Sequence, residues 1–389
     1  MLGRRTRWTR RVGTVHVVIA PDSFKESLTA IEAAEAMAAG VRDVVPDAQC
    51  VLVPMADGGE GFAETVAAAL GADLHEVGVT GPLGDPVTAT YAVDLSRRLA
   101  VVDVAQAVGL DLVARADRDV MRADTFGVGE LVLAAVEHDV DELIIGLGGS
   151  ATNDGGAGLL RALGADLLDD RGASVQPGPA GLQSISSVDL SGVSARAREV
   201  RVRLASDVTN PLLGEQGASA VFGPQKGASD DQVDELDALL GRLAELVDPE
   251  GRTQQSPGAG AAGGLGFALQ HALGATSTPG VEIVAELTGL AAHLDGADLV
   301  LTGEGSMDGQ TLAGKTPFGV ARLAAERGVP VVGLAGRLGP GADKLLDHGF
   351  VALVPIVQGI TDLPTALAEG GANLRRAVAT SVRLLRTTL

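Results

Sequence analysis

Cysteine is almost absent from this 389-residue chain, because Cys50 is the only one. A single cysteine excludes an intramolecular disulfide and a cysteine metal cluster, and it favours a reducing compartment such as the cytoplasm. The six histidines are scattered and show no spacing typical of a metalloprotease helix. Gly or Asp interrupts each apolar run before it reaches the length of a membrane span, so we expect no membrane attachment.

Positive charge is also scarce, since 30 Lys and Arg residues face 50 Asp and Glu residues and the net charge is −20. This balance argues against a general affinity for nucleic acid or anionic membranes. Any anionic ligand must therefore be bound by a few local cations. Lys25, Lys226 and Lys315 lie in turn-like segments, where a compact charge suits phosphate or carboxylate. Ordinary solvation of loops explains such lysines equally well.

What the chain does contain is enough apolar material for a large folded core. Hydrophobic residues make up 46% of the sequence, and the length allows two domains. The strongly basic residues 1–14 predict a disordered tail, because the apolar run after them stops at Pro21, too soon for a signal peptide.

The most informative stretch is DELIIGLGGSATNDGGAGLLRALG, residues 141–164. Its apolar run at residues 143–145 predicts a short buried strand, and the leucines at its end predict a helix. Between them lie glycines, which let backbone N–H groups approach a ligand, and candidate helix caps. We expect an anion to bind these amides and the positive helix end. The candidate residues are Gly148, Gly149, Ser150, Thr152, Asn153 and Asp154.

Two other interpretations of this stretch stay open. It could be a simple tight connection between a strand and a helix. Gly146, Gly148 and Ala151 also fit the dinucleotide pattern G-x-G-x-x-G/A, with Asp169 or Asp170 at about the required offset. That pattern needs the acid at the end of the next strand, and here it falls in LLDDRGA, which is typical of a turn.

Polar residues follow three other predicted strands, at the sheet edge where open α/β proteins bind ligands. After the strand at residues 17–20 come Asp22, Ser23 and Lys25, and after the strand at residues 50–53 come Asp57, Gly58, Gly59 and Glu60. After the strand at residues 202–205 come Asp207 and Asn210, followed by Lys226 in a tight turn. Carboxylates in such turns suit a divalent cation or a general base, although helix capping and Asx-turns also use them.

The middle and the end of the chain predict different sheets. From Asp73 to Asp103 the pattern alternates with period two, as in antiparallel strands. From about Ala297 the chain returns to alternating strands and helices, which predicts a parallel sheet, with Glu304 and Lys315 near strand ends. The segment GQTLAGKT, residues 309–316, matches the Walker A pattern, but the strand before it should end near Thr302, too early for a P-loop.

Seven segments occur in the order of one known family: APDSFKESLTA, VPMADGGEG, GLGGSATNDGGAG, SDVTNPLLG, FGPQKGAS, PGAGAAGGLG and TGEG. From about Val15 onward the chain closely resembles the bacterial glycerate kinases of the glycerate 2-kinase type. The resemblance implies phosphorylation of D-glycerate, to 2-phosphoglycerate, by ATP with a divalent cation such as Mg²⁺. It also implies a two-domain α/β fold with the active site in the cleft between the domains. We expect a Rossmann/flavodoxin-like parallel-sheet domain from residues 15–76 and 297–389, and an inserted α/β domain at residues 77–296.

The resemblance suggests roles for the candidate residues. Phosphoryl transfer needs bound phosphates, neutralised charge and a base for the substrate hydroxyl. We expect the GLGGSAT amides to bind phosphate, with Ser150 and Thr152 adding hydroxyl donors. Asp207 is the first candidate for Mg²⁺ ligand or base, Asp154 the second, and Asn210 would orient the substrate. Lys25 and Lys226 would neutralise the phosphoryl group or the glycerate carboxylate, and Asp57 and Glu60 would bind substrate hydroxyls.

The sequence departs from the family pattern at a few positions. Ser306 stands where the family motif TGEGRID has arginine, and Asp124 and Phe126 replace a run of Thr and Ser. Asp103 and Val104 stand where Glu and Met are more frequent. A nucleotide-dependent oxidoreductase and a non-catalytic ligand-binding protein remain as alternatives. Homodimer formation is left open.

Overall fold

The computed structural model describes residues 14–387, so the basic tail predicted at residues 1–14 lies, apart from Thr14, outside the described residues. The strands are β1 His16–Ile19, β2 Gln49–Leu52, β3 Asp73–Thr80, β4 Pro86–Asp94, β5 Leu99–Asp103, β6 Glu142–Gly146, β7 Asp166–Asp169, β8 Ile185–Asp189, β9 Arg201–Ala205, β10 Thr276–Thr278, β11 Leu299–Met307, β12 Val331–Leu338 and β13 Phe350–Pro355.

The helices alternate with these strands over much of the chain, which makes the protein a mixed α/β protein, as predicted. They are α1 Ala30–Arg42, α2 Phe62–Leu70, α3 Val104–Val108, α4 Phe126–Glu137, α5 Ala157–Ala162, α6 Ala195–Glu199, α7 Ala218–Phe222, α8 Asp230–Val247, α9 Leu265–Leu273, α10 Gly280–Thr288, α11 Leu290–Leu294, α12 Thr316–Ala325, α13 Leu363–Ala368 and α14 Gly370–Thr387. None of the described helices is both long enough and apolar enough to cross a bilayer.

The contacts between residues divide the chain into two compact units. The first unit joins the residues before Asp57 to those from Val281 onward, and the second spans residues 57–280. These boundaries differ from the predicted ones at 76/77 and 296/297. The difference at the first boundary arises because α2 packs against β4 and β5, and β3 pairs with β4 along its whole length, so both belong to the second unit.

The first unit contains a five-stranded sheet in the order β13-β12-β11-β1-β2, and each neighbouring pair is parallel. Its core joins apolar strand residues such as Val17 and Leu301 to helix residues such as Met37 and Leu374. Helix α1 begins at a capping box, in which the Thr29 side chain accepts from the Glu32 amide and the Glu32 side chain accepts from the Thr29 amide. The parallel sheet expected from the alternating pattern is therefore present.

Strand β11 is longer than the sequence predicts. It continues past Thr302 to Met307, because its pairing with β12 extends through Ser306 beside Arg337 and Met307 beside Leu338. A 3₁₀ turn at Gly309–Ala313 and the residue Gly314 then separate the strand from α12. The Walker-like segment thus contains a helical turn of its own instead of an open loop that runs from strand to helix.

The second unit contains a six-stranded sheet in the order β10-β9-β6-β5-β4-β3. Strand β4 pairs antiparallel with both β3 and β5, as the period-two pattern predicts. The remaining neighbours, β5 with β6, β6 with β9 and β9 with β10, pair in parallel. Apolar residues including Leu143, Ile145, Leu131 and Leu159 form its core. At the carboxyl edge, Gly146 lies between Asp103 on β5 and Ala205 on β9, so the segments that follow these strands emerge side by side.

Candidate active site

Backbone groups of the glycine loop between β6 and α5 form hydrogen bonds to neighbouring segments of the protein. The Gly148 amide donates to the Gly58 carbonyl at 2.8 Å, and the Ala151 amide donates to the Val108 carbonyl at 2.8 Å. The Gly149 carbonyl accepts from the Leu110 amide at 2.8 Å. The amide cradle predicted for GLGGSAT is therefore only partly available to a ligand, because these contacts anchor the loop to its neighbours.

The start of α5 is occupied by the protein's own carboxylate. Asp154 is fully buried and accepts from the amides of Gly156 and Gly158, each at 3.0 Å. It also accepts from the Thr125 amide at 3.0 Å and the Thr125 hydroxyl at 2.7 Å. Both carboxylate oxygens are thus engaged. Asp154 therefore occupies the helix end at which we predicted an anion, and these contacts argue against Asp154 as a metal ligand or base.

The environment of Asp154 is unusual for a carboxyl group. Its burial and the neighbouring Asp124 carboxylate raise the pKa of Asp154 to about 6, although the hydrogen bonds from Gly158 and Thr125 oppose the rise. Asp124 is itself nearly buried, where it accepts from Arg161 at 2.7 Å, from the Gly178 amide and from the Phe126 amide. The unexpected Asp124 therefore connects α5, the start of α4 and the Gly178 backbone.

A buried lysine lies on the other side of the glycine loop. Lys226 is only 3% exposed, and its Nζ donates to the Ser150 hydroxyl at 3.0 Å and to the Thr152 carbonyl at 2.6 Å. Burial lowers the pKa of Lys226 to about 7, and the charge of Asp154 opposes this lowering. The tight turn predicted around Lys226 is a 3₁₀ turn, which Gly227 ends at a φ of 99°.

Lys226 and the loop border a cavity of about 120 Å³. Four of the predicted site residues are in its wall, together with five others: Gly148, Gly149, Ser150 and Lys226, with Leu147, Val208, Phe222, Gln225 and Ala262. The space is several times what a single water needs, so it can hold a phosphate or a small carboxylic acid. The cavity combines one cation and one hydroxyl with apolar walls, which is a typical composition for a small anion site.

Thr152 and Asn153 are buried beside this cavity but are absent from its wall. Both are fully inaccessible, and the Asn153 side-chain amide donates to the Ser219 hydroxyl at 2.9 Å. The segment PGAGAAGGLG, residues 257–266, packs onto them, and a methyl group at Gly263 would lie 2.0 Å from the Thr152 carbonyl oxygen. Only a glycine allows this approach, so the two glycine-rich segments form one packed layer.

The turn at residues 57–60 packs directly on the glycine loop. Gly58 has a φ of 93°, and a methyl group there would lie 2.2 Å from the Ala205 carbonyl oxygen. The Asp57 side chain accepts from the Gly59 amide at 3.0 Å, and Glu60 is exposed. Three of the predicted segments, which start at Asp57, Gly148 and Asp207, are therefore brought together in the second unit.

Asp207 and Asn210 follow β9 at this edge. Asp207 is half-buried and precedes Val208 of the cavity wall. The Asn210 side-chain amide donates to the Gln216 carbonyl at 2.8 Å, which holds its own loop together. Within residues 14–387, no three His, Cys, Asp or Glu side chains lie close enough together to bind a metal ion. Mg²⁺ is commonly held by one or two carboxylates plus substrate phosphates, so a Mg²⁺ site does not require a group of three such side chains.

The remaining predicted residues belong to the first unit. The Thr316 hydroxyl donates to Asp22 at 2.5 Å, and Asp22 accepts from the Ser23 amide at 2.7 Å. The nearly buried Glu304 accepts from the Thr311 hydroxyl at 2.9 Å and from Lys315 at 3.1 Å. Lys25 is exposed. These polar residues gather at the carboxyl ends of β1 and β11, where sheet geometry predicts a ligand site.

The structure does not place Asp169 where the dinucleotide interpretation requires an acidic residue. Asp169 does end a strand, contrary to the predicted turn, but β7 pairs only with the antiparallel β8 in a separate two-stranded sheet. The Asp169 side chain accepts from the amides of Arg171 and Ala173, each at 2.9 Å. It is therefore a turn-forming residue, remote in topology from the parallel strands that a dinucleotide site requires.

Sequence reasoning missed several residues around the cavity. Phe222, Gln225 and Ala262 come from segments whose patterns predict only turns or helices, and nothing in the sequence marks them as neighbours of the glycine loop.

The structural role of Asp103 was also missed, because the sequence shows this residue only as a departure from the family pattern. It is 1% exposed, accepts from the Ala63 amide at 3.0 Å and so caps α2 from a neighbouring strand. Burial and nearby Glu64 raise the pKa of Asp103 well above its ordinary value.

Comparisons with known proteins agree across nearly the whole chain. Residues 17–386 match the model of the glycerate kinase family. Glycerate kinase from Halalkalibacterium halodurans is 45% identical over 93% of this chain and 96% of its own length. Glycerate 2-kinase from Escherichia coli is 44% identical over 93% of this chain and 95% of its own length. A crystal structure assigned as glycerate kinase 2 from Salmonella typhimurium LT2 is 42% identical, with a TM-score of 0.84 over 96% of this chain and 99% of that one.

Proposed function

Because the chain belongs to the glycerate kinase family, we propose that it transfers the γ-phosphoryl group of ATP to D-glycerate and forms 2-phosphoglycerate. The observation that carries the substrate assignment is 44% identity to a glycerate 2-kinase over nearly both full lengths. In this reaction the substrate hydroxyl oxygen forms a bond to the γ-phosphorus. The bond from phosphorus to the β,γ-bridging oxygen breaks, ADP leaves, and the hydroxyl proton passes to a base.

Lys226 and Ser150 are the groups we assign to the anion in the cavity of the second unit. The cavity is large enough for a phosphoryl group or for glycerate. A protonated Lys226 neutralises the negative charge, while the Ser150 hydroxyl that it already contacts completes the polar wall. Since the anion replaces water in a mostly apolar cavity, this charge interaction is stronger than it would be in solution.

Asp207 is the residue we assign to the base or to the Mg²⁺ ion that accompanies ATP. When bound, Mg²⁺ would neutralise charge on the nucleotide phosphates. Asp154 is reassigned to the support of the glycine loop, because it is fully buried and its four hydrogen bonds engage both oxygens. Asp57, Glu60 and Asn210 remain proposed contacts to substrate hydroxyls.

The polar residues of the first unit are proposed to bind an anionic part of a substrate. Lys25 offers an exposed ammonium group, while Asp22, Ser23, Glu304 and Lys315 hold the strand ends and the start of α12 in place. The Walker-like segment contributes Lys315 to this arrangement through Glu304. It does not form a P-loop, because a 3₁₀ turn lies between β11 and Gly314.

A coupled assay of ADP release with D-glycerate tests the function, and ³¹P NMR of the product tells O2 from O3 phosphorylation. Release of ADP that depends on D-glycerate supports the proposal, whereas reduction of NAD⁺ or NADP⁺ without ADP release would favour an oxidoreductase. Glycerate binding without ADP release would favour a non-catalytic protein. In Asp207→Asn we expect kcat to fall by about 10²-fold or more, and near-normal turnover would remove Asp207 from the chemistry.

A further inference from the structure

Arg118 connects two segments that border the cavity. Its Nη1 donates to the Gln225 carbonyl at 3.2 Å and its Nη2 donates to the Leu110 carbonyl at 3.3 Å. The Nε atom is buried and makes no hydrogen bond to any described residue. The side chain also packs against the lysine turn, because a methyl group at Gly227 would lie 3.3 Å from the Arg118 Cβ.

Both segments control groups of the proposed anion site. Gln225 lies in the cavity wall and immediately precedes Lys226 in the 3₁₀ turn. Leu110 donates to the Gly149 carbonyl at 2.8 Å and so holds the glycine loop. A planar guanidinium donates in fixed directions, and one Arg118 side chain therefore sets the position of the lysine turn relative to the loop.

A second, smaller cavity separates Arg118 from the anion site. Its volume is about 10 Å³, close to the minimum that one water molecule needs, and Arg118, Asp119, Ala151 and Lys226 are in its wall. Lys226 uses two of its three donors on Ser150 and Thr152. Lys226 is only 3% exposed, so bulk water has little access to its ammonium group.

We propose that Arg118 is a positioning residue, which holds the turn of Lys226 against the glycine loop and keeps the Lys226 ammonium group dry and directed at the anion. Arg118 itself does not touch the substrate in this proposal. The inference rests on the proposed function for its kinetic test, and a chemical test of Lys226 exposure is independent of that function.

The chemical test uses the small number of lysines. Acetic anhydride labelling at pH 9, read by mass spectrometry, reports Lys226 while Lys25, Lys315 and Lys344 serve as internal references. In Arg118→Met we expect the labelling rate of Lys226 to rise about tenfold, equivalent to about 1.4 kcal/mol, since two hydrogen bonds that close the turn are lost. Arg115→Met is the matched control, because it removes the same charge from an exposed side chain three residues away. Equal Lys226 rates in the wild type and Arg118→Met would overturn the proposal.

The kinetic test separates positioning from simple charge. We expect kcat/KM of Arg118→Met to fall about 10²-fold. The decline of kcat/KM at alkaline pH should occur at a higher pH in Arg118→Met than in the wild type, because a hydrated Lys226 holds its proton more tightly. The kcat/KM of Arg118→Lys should be closer to that of Arg118→Met than to that of the wild type, since an ammonium group does not bridge the two carbonyls. If Arg118→Met does not fold, Arg118→Lys replaces it in the labelling and kinetic comparisons with the wild type. Full activity in Arg118→Lys would contradict the proposal. An inactive wild type with strongly exposed Lys226 in Arg118→Met would instead refute only the proposed function.

Discussion

Lys226 is a residue whose charge state depends strongly on its surroundings. Its pKa is lowered to about 7 because burial disfavours the ammonium form, and its only close partners are a hydroxyl and a carbonyl. Under the proposed function, an anion in the cavity would add a second favourable charge to that of Asp154 and so offset part of the cost of burying this lysine.

The pH dependence of the reaction should reveal Lys226. The free enzyme binds an anion best with Lys226 protonated, so we expect kcat/KM to fall by about tenfold per pH unit above about pH 7. Lys226→Arg should remove this decline, because a guanidinium group stays charged, while Lys226→Met should lower kcat/KM by about 10²–10³-fold at pH 7. Steady-state assays from pH 6 to pH 9 measure both effects. A wild-type profile that is flat to pH 9 would exclude Lys226 from anion binding.

The effect of Lys226 on stability has the opposite sign. Between about pH 7 and its ordinary value of 10.5, the unfolded chain binds a proton that the folded protein lacks. The contribution of Lys226 to the free energy of unfolding therefore increases as the pH rises through this range. Activity and this component of stability should change in opposite directions with pH.

Asp154 is the second residue whose role can be tested directly. Asp154→Ala leaves four donors without their acceptor, so we expect the free energy of unfolding to fall by about 3 kcal/mol. The Mg²⁺ concentration for half-maximal activity should not change. Urea denaturation and a Mg²⁺ titration give the two measurements, with exposed Asp166→Ala as the control. A large increase in the Mg²⁺ requirement with little loss of stability would restore Asp154 as a metal ligand.

At the scale of elements, the register of β11 and β12 bears on the departure at Ser306. Ser306 lies directly beside Arg337, and Arg337 is exposed and makes no hydrogen bond or ion pair to any described residue. Neighbouring strands are about 4.8 Å apart, and in-register side chains point to the same face. Side chains at positions 306 and 337 therefore start from neighbouring points on the face of the sheet that also carries Glu304.

A reciprocal exchange tests whether Arg337 supplies the cation at this edge. We expect Arg337→Ser to lower kcat/KM by about tenfold, and the double variant Ser306→Arg/Arg337→Ser to recover most of it, because the charge returns to the adjacent strand. Arg322→Ser controls for general loss of charge, since Arg322 only pairs with exposed Glu282 on the surface. If the double variant were no better than Arg337→Ser, the two positions would not be interchangeable.

For the whole molecule, net charge makes a prediction about macromolecular partners. With a net charge of −20, we expect no measurable binding to double-stranded DNA at 0.15 M salt, because repulsion between the acidic protein and the phosphate backbone should outweigh attraction by the basic residues 1–14. Fluorescence anisotropy with a labelled duplex measures this, and a repeat at 0.02 M salt strengthens any electrostatic attraction. Binding that weakens steeply with salt would show that a local basic surface had been overlooked.

Much of the fold could be predicted because it rests on local patterns. Apolar runs and alternation placed the strands around Val18, Ile144 and Leu204, and the change to period two after Asp73 indicated antiparallel strands. The resemblance to glycerate kinases rests on contiguous segments, which sequence shows directly. The end of β11 was missed because residues 303–306 are glycine, glutamate, glycine and serine. Pairing with β12 holds them in the strand, and their own preferences do not.

The sequence by itself determined the α/β class, the scarcity of cations and the importance of the glycine loop, because composition and short-range spacing suffice for these. Tertiary structure decided what the loop does. It directed Asp154 to the start of α5, where a ligand had been expected, and brought Lys226 to Ser150 across 76 residues of chain. It also placed Arg118 behind that lysine. Such long-range contacts depend on how whole strands and helices pack, and no local pattern contains that information.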